Sequence, residues 1–392
     1  MRPLSELDQI DWASLDHAYG NAADVPEMLR ALVSASADER ARARDGLWAA
    51  LDHQGVQRFE STLRAVPFLI ALVADEATPE RSEIVRLLAE IAVGDTCWFM
   101  HDGFHPEKQT APDHCSRPQS MATTGGGGII SRGFPDIGEG HDMTPGHGLY
   151  EIYQAVAEGL PLYLAALDRG DEALRCAVPF VTAFLTERAA EAAPRLTRLL
   201  EDRSPLVRAS AALGLSHVSK FDPEARAAAL ATLQQMWIQD LGELVRRAVA
   251  LALVRFEQPD DTVEVRQYLR EQLSAGLPAV LPHGRFPWFR MDSPPFVFCT
   301  TFIGTAAEER EPVTEAGCDA LGHVSDPDDA ADLAGWLLQV GVNPDEMNPL
   351  SHRVLKSVAG SQAAWHYTDI PARLDRLGLP SDREALATFL NQ

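Results

Sequence analysis

The chain has 392 residues, 46% hydrophobic and 23% charged, and its 34 basic against 57 acidic residues give a formal net charge of −23. No apolar run approaches the ~18 residues that a membrane helix requires, which argues against a membrane span. The charge sign repels phosphate backbones and anionic lipid on average, so nucleic acid is set aside as a partner and a basic protein surface fits better.

The N-terminal text MRPLSELDQIDW has no apolar core of a secretory signal. Cys97, Cys115, Cys176, Cys299 and Cys318 are scattered and form no CxxC pair. They read as reduced thiols, and the expected location is the cytoplasm. Cys176 and Cys318 fall within apolar helical text and are expected as small core residues.

Helical periodicity begins with Trp12, Leu15 and Tyr19, and continues with Val25, Met28, Leu29 and Leu32. Further helices are expected over Ala37–Leu51, Glu60–Val73 and Pro79–Val93. His17 in LDHAYG and His53 in LDHQG are expected at helix ends, where an imidazole can donate to the last carbonyls. From 94 to 148 the rhythm stops in a Gly-, Pro- and His-rich stretch that includes Gly125–Gly128. Loops beyond ~12–15 residues are uncommon inside compact domains, so this one reads as an insertion between repeating units. Helices resume at Leu149, through Tyr153, Val156, Leu160, Tyr163 and Leu167, and run in pairs to Phe256.

One of those pairs is the clearest text in the chain. In AAPRLTRLLEDRSPLVRASAALGLSHV, Ala192–Val218, Pro194 is expected to open a first helix. Asp202 and Ser204–Pro205 make the turn, and Val207–Arg208 begins a second helix. Ala209, Ala211, Ala212 and Gly214 allow that helix to pack closely. Such a pair leaves one face apolar and must stack on copies of itself. A Pro- and aromatic-rich stretch follows over 276–297, and shorter helices are expected over Val313–Val324, Ala330–Val340 and Pro349–Ala359. A last helix spans Ser381–Leu390, with Ser381 as cap and Glu384 at capping-box spacing.

This pattern resembles that of the bacterial HEAT-repeat (armadillo-like) proteins, in which a Pro in the first helix, an Asp in the turn and a Val-Arg pair in the second recur every ~40–47 residues. AVPFLIALVAD (Ala65–Asp75), followed by Val85–Arg86, carries the same elements, as does AVPFVTAFLTE (Ala177–Glu187). Leu244–Val245–Arg246 repeats the helix start 38 positions after Val207. The resemblance implies an all-α, right-handed solenoid of HEAT-like helix pairs with a long insertion. Its expected parts are N-terminal repeats over 1–93, the insertion over 94–148, central repeats over 149–275, the Pro/aromatic loop over 276–297 and degenerate repeats over 298–392, in one continuous solenoid.

Candidate chemistry concentrates in the insertion. His101, His105, His114, His141 and His147 lie there, and if the chain is an enzyme they are its candidate acid–base groups. Cys97, His101, His105 and His114 are the possible metal ligands. No HExxH motif supports them, and Gly103 and Pro106 break the helix that would align His101 with His105, so polar loop histidines and no cofactor are the expectation. The tract Thr123–Gly140 could cradle phosphate with Arg132 nearby, but lacks GxxxxGK[ST] and reads as a linker.

Loop aromatics offer another route to function. Trp98, Phe99 and Phe104 enter the insertion, and Arg285, Phe286, Trp288, Phe289 and Arg290 crowd the second break. They either tuck into the core or face a partner, as interface rings and arginines do. Nothing in the text demands catalysis. The leading expectation is a non-catalytic scaffold that holds another protein with a basic surface, through its concave face and insertion, in an immunity-like or complex-assembly role. The alternative is a small-molecule enzyme on the same scaffold, using the histidines of 97–147 and possibly a metal.

Overall fold

The computed structural model describes residues 4–53, 57–94, 104–106, 149–239, 241–256, 263–277, 286–289, 297–299, 309–343 and 346–391. These residues are almost wholly helical, apart from two short antiparallel ladders: β1 (Asp16–His17) with β2 (Gly20–Asn21), and β3 (Asp52–His53) with β4 (Gln57–Arg58). None of the described helices is long and apolar enough to cross a membrane.

Two compact units emerge. The first gathers the described residues up to Val249 together with 286–288, and the second holds the others. In the first, α1 (Val25–Ala31) packs on α2 (Ala37–Leu51), and α3 (Glu60–Ala74) on α4 (Arg81–Val93). After α5 (Leu149–Ala157) come α6 (Leu160–Arg169) with α7 (Glu172–Ala183), α8 (Ala189–Leu199) with α9 (Pro205–Val218), then α10 (Pro223–Trp237). The partners line up in two rows, with α4 beside α7 and α7 beside α9 in one, and α3 beside α6, α6 beside α8 and α8 beside α10 in the other. Helix α11 (Glu243–Val254) follows.

The second unit holds α12 (Val263–Ser274), α13 (Arg310–Leu321), α14 (Pro327–Gly341), α15 (Pro349–Gly360), α16 (Asp369–Arg376) and α17 (Arg383–Phe389). Its centre is α13, which touches α12, α14 and α15.

Local chemistry sets these helix starts. Ser204–Pro205, Asp222–Pro223, Asp326–Pro327 and Asn348–Pro349 each place a capping side chain before a proline whose missing N–H costs nothing in the first turn. A second device recurs at the fourth helical residue. Arg40 donates through Nη1 to the carbonyls of Ser34 and Ala35 (2.8 and 3.2 Å), and Arg208 to those of Asp202 and Arg203 (2.8 and 3.3 Å). Arg175 reaches Gly170 O at 2.9 Å in the same way. Arg40 and Arg175 then extend to an acid in the turn ahead of the next helix in their row, Glu80 and Asp202. Each such arginine ties its own turn to its neighbour's.

Close packing in the first unit depends on the small residues of α9. Ala209, Ala211 and Ala212 are fully buried, and a Cβ on Gly214 would sit 2.6 Å from the Pro179 carbonyl oxygen of α7. No side chain fits there.

Several local expectations are corrected. Trp12–Tyr19 is not a helix: a short 3-10 turn at Trp12–Ser14 passes into the β1–β2 hairpin, where Gly20 takes φ +130°. His17 does not cap helix carbonyls, because its Nδ1 accepts from the Tyr19 N–H (3.0 Å) and its Nε2–H donates to Asp24 Oδ1 (2.8 Å). Pro194 lies inside α8 rather than at its start; both it and Ala190, whose carbonyl loses its partner, are exposed, so the freed carbonyl faces solvent instead of an apolar core. The cap of α17 is Asp382, whose Oδ1 accepts from the N–H groups of Glu384 and Ala385 at 3.0 Å each, not Ser381.

Candidate functional site

Residues 104–106 of the first irregular stretch and 286–288 of the second return to the helices of the first unit, along an aromatic seam on α7 and α9. Phe180 on α7 and Phe184, the helical-conformation residue that ends it, stand four apart and so share a face, with ring centroids 5.4 Å apart and planes at 89°. Ser210 and His217, two turns apart on α9, share the opposing face. Trp288 fills the gap: its ring meets Phe180 edge-on at 5.3 Å and stacks on His217 at 5.4 Å. Its indole N–H donates to Ser210 Oγ (2.8 Å), and that hydroxyl donates to Cys176 O (2.7 Å). Ser210, His217 and Trp288 are all at most 3% exposed.

The seam continues through Tyr153, whose hydroxyl donates to Phe184 O at 3.4 Å. Phe104, from the start of the insertion, lies 5.3 Å from the Tyr153 ring, and its carbonyl accepts from Thr186 Oγ1 at 2.8 Å. His105 packs its ring on Phe221 at 3.6 Å between centroids. Tyr150, stacked 6.2 Å from Tyr153, carries the seam out to solvent.

Burial keeps the Tyr153 phenol and the Cys176 thiol of this seam neutral. Burial raises the Tyr153 phenol well above its ordinary value, and the charge of Glu187 adds to the rise. Burial pushes the Cys176 thiol up to about 12, against the opposing pull of its Ser210 hydrogen bond. In the second unit burial likewise holds Cys299 well above the usual thiol range and Cys318 at about 11. A thiol so shifted carries almost no thiolate at neutral pH and is a poor nucleophile.

No family model matches this sequence, and no curated protein matches it.

Phe104, Phe286 and Trp288 are 2–3% exposed, so of the two alternatives these three rings take the core. Trp98, Phe99, Arg132, Arg285, Arg290 and the Phe289 side chain lie outside the described residues, as do Cys97, His101, His114, His141 and His147. His105 alone of the five insertion histidines is placed, against Phe221. Among the described residues no group of three or more His, Cys, Asp or Glu side chains converges as metal ligands would. Ser210, His217 and Tyr153 were not singled out in sequence. A serine within the alanine-rich stripe of α9 was the available signal, since a buried hydroxyl needs a partner.

Proposed function

We propose that the chain is a non-catalytic, right-handed solenoid of HEAT-like helix pairs that holds another protein with a basic surface, through its concave face and its inserted segment. One observation carries this reading: a net charge of −23 coexists with arginines whose guanidinium groups are engaged by carbonyls and acids of this chain. Arg40, Arg175 and Arg208 are turned onto turn carbonyls and neighbouring acids. Arg195 is tied to Asp168 and Arg353 to Glu315 and Asp319. Other carboxylates are exposed, Asp8 at 79% and Asp24 at 60% of their side chains. An excess acidic field of this kind steers a cationic protein into encounter and fades with salt.

Stacked helix pairs also offer a long surface for their mass. An immunity-like or complex-assembly role follows from such a surface. Immobilised full-length chain is expected to retain a basic protein from a native extract at low ionic strength and to release it at high salt. Recovery of no protein at low salt overturns the proposal.

A further inference from the structure

One phrase occurs twice near the start of the chain: WASLDH over Trp12–His17 and WAALDH over Trp48–His53. Each copy runs into a short antiparallel hairpin, and the two hairpins touch. The Ala18 N–H donates to Ala50 O at 3.2 Å, and the Tyr19 and His53 rings meet at 5.5 Å with planes at 89°. The copies treat their aspartates differently. Opposite Asp52 on the paired strand stands Arg58, 3.5 Å away, and both side chains are buried. Opposite Asp16 stands Asn21, and Asp16 is exposed.

The first hairpin therefore keeps its negative charge unmatched. Asp24 Oδ1 accepts from His17 Nε2–H, but His17 Nδ1 accepts from the Tyr19 N–H, so the imidazole is neutral and the carboxylate retains its full charge. Among the described residues Asp24 Oδ2 accepts no hydrogen bond, and Asp16, Asp24 and Glu27 have no Arg or Lys within salt-bridge distance. Beside them Tyr19 is 68% exposed, more than any other Phe, Tyr or Trp among the described residues. It is nonetheless held in place, its N–H by His17 and its ring against His53. A large ring fixed before contact loses little freedom on binding.

Ring and carboxylate are linked through one imidazole: the Tyr19 and His17 centroids are 6.3 Å apart, and Asp24 Oδ1 is 2.8 Å from His17 Nε2. A guanidinium takes an aromatic ring within about 6 Å and a carboxylate oxygen within about 4 Å, so a single arginine spans both. We infer that the first hairpin receives an arginine side chain of a basic protein, its guanidinium on the Tyr19 ring and paired with Asp24 Oδ2. Asp16 and Glu27 strengthen the field that draws it in. Lysine fits less well, because an ammonium neither stacks flat nor forks onto a carboxylate. The inference rests on the reading of the chain as a holder of basic proteins, and it names the point of contact.

NMR of the full chain with labelled tyrosine rings tests it, the Tyr19 signals being assigned from Tyr19→Phe. They are expected to move on titration with acetyl-Gly-Arg-Gly-amide and not with the citrulline counterpart, which keeps the shape of arginine without its charge. Asp24→Asn preserves the acceptor for His17 and removes the charge, and is expected to weaken binding about threefold, the scale of one exposed ion pair. Unmoved Tyr19 signals at millimolar peptide, equal responses to both peptides, or undiminished binding by Asp24→Asn overturn the inference. Immobilised full-length Tyr19→Ala separates the two readings, since the change removes an exposed side chain and leaves the N–H that His17 holds. Loss of capture with an unchanged thermal unfolding curve is the expected result. If the variant retains the protein that the wild type captures at the same salt, the hairpin is wrong and the scaffold reading stands. A wild type that captures no protein at low salt removes both.

Discussion

Arg175 and Asp202, 27 residues apart, face each other as a fork on a carboxylate: Nε meets Oδ2 at 2.9 Å and Nη2 meets Oδ1 at 3.4 Å. The same carboxylate accepts from the Ser204 N–H at 2.8 Å, so it fixes the turn before α9 and joins it to α7. Burial works to raise the Asp202 carboxyl. The Arg175 and Ser204 hydrogen bonds and the charges of Arg175 and Arg203 outweigh it and leave the carboxyl below its usual range. A depressed carboxyl contributes stability that is present above its unfolded value, about 3.9, and is lost as pH falls through the folded value. Asp202→Ala is therefore expected to cost about 2 kcal/mol at neutral pH, the scale of hydrogen bonds to a charged group. Urea unfolding across pH should show the gap to wild type closing below about pH 4; a gap independent of pH overturns the assignment.

Gly214→Ala tests the approach of α9 to α7. Alanine is the better helix former by roughly 1 kcal/mol, yet the added methyl meets backbone oxygen, which cannot rotate away. The expected result is a net loss of about 1–3 kcal/mol, as for other overpacked cores. Gly360→Ala is the control: nothing lies within 4 Å of its added Cβ, so stability should hold or rise by up to about 1 kcal/mol. Thermal unfolding of the two variants decides it, and equal shifts would count against the close approach.

Ser210→Ala leaves the buried Trp288 indole N–H without its acceptor and is expected to cost about 1–3 kcal/mol. In a Trp288→Phe background the donor is gone, so the same serine change should cost much less. A double-mutant cycle by chemical denaturation measures the coupling. Additive effects would show that the Trp288–Ser210 bond contributes nothing.

The buried thiols make a simpler prediction. At pH 8 iodoacetamide should leave Cys176, Cys299 and Cys318 unmodified in the folded chain, because burial holds all three above the range where thiolate forms. Denaturant should expose them together, as read by peptide mass mapping. Rapid alkylation of Cys176 under native conditions would contradict its placement beneath Ser210.

What the sequence made legible was local. The Asp202 and Ser204–Pro205 turn, the small residues of α9 and the repeated Val-Arg starts all act within a few residues, so spacing reveals them. Asp382 displaced Ser381 as a cap by one position because both residue types cap well and only geometry chooses between them. The hairpin at His17 was hidden because apolar spacing across Trp12, Leu15 and Tyr19 mimics a helix, while the bond to Asp24 that fixes the fold there is made by a side chain. Trp288 was ambiguous for another reason: its acceptor lies 78 residues earlier, beyond any periodicity. The histidines of the insertion were visible as a composition, but their arrangement depends on positions outside the described residues, His105 excepted.

The 78 residues between Ser210 and Trp288 matter during synthesis. A ribosome adding about 5–20 residues per second delivers the indole roughly 4–16 s after the serine. Throughout that interval Phe180, Phe184 and His217 form an open socket, so the nascent protein carries a sticky, unfinished patch until its plug arrives from downstream.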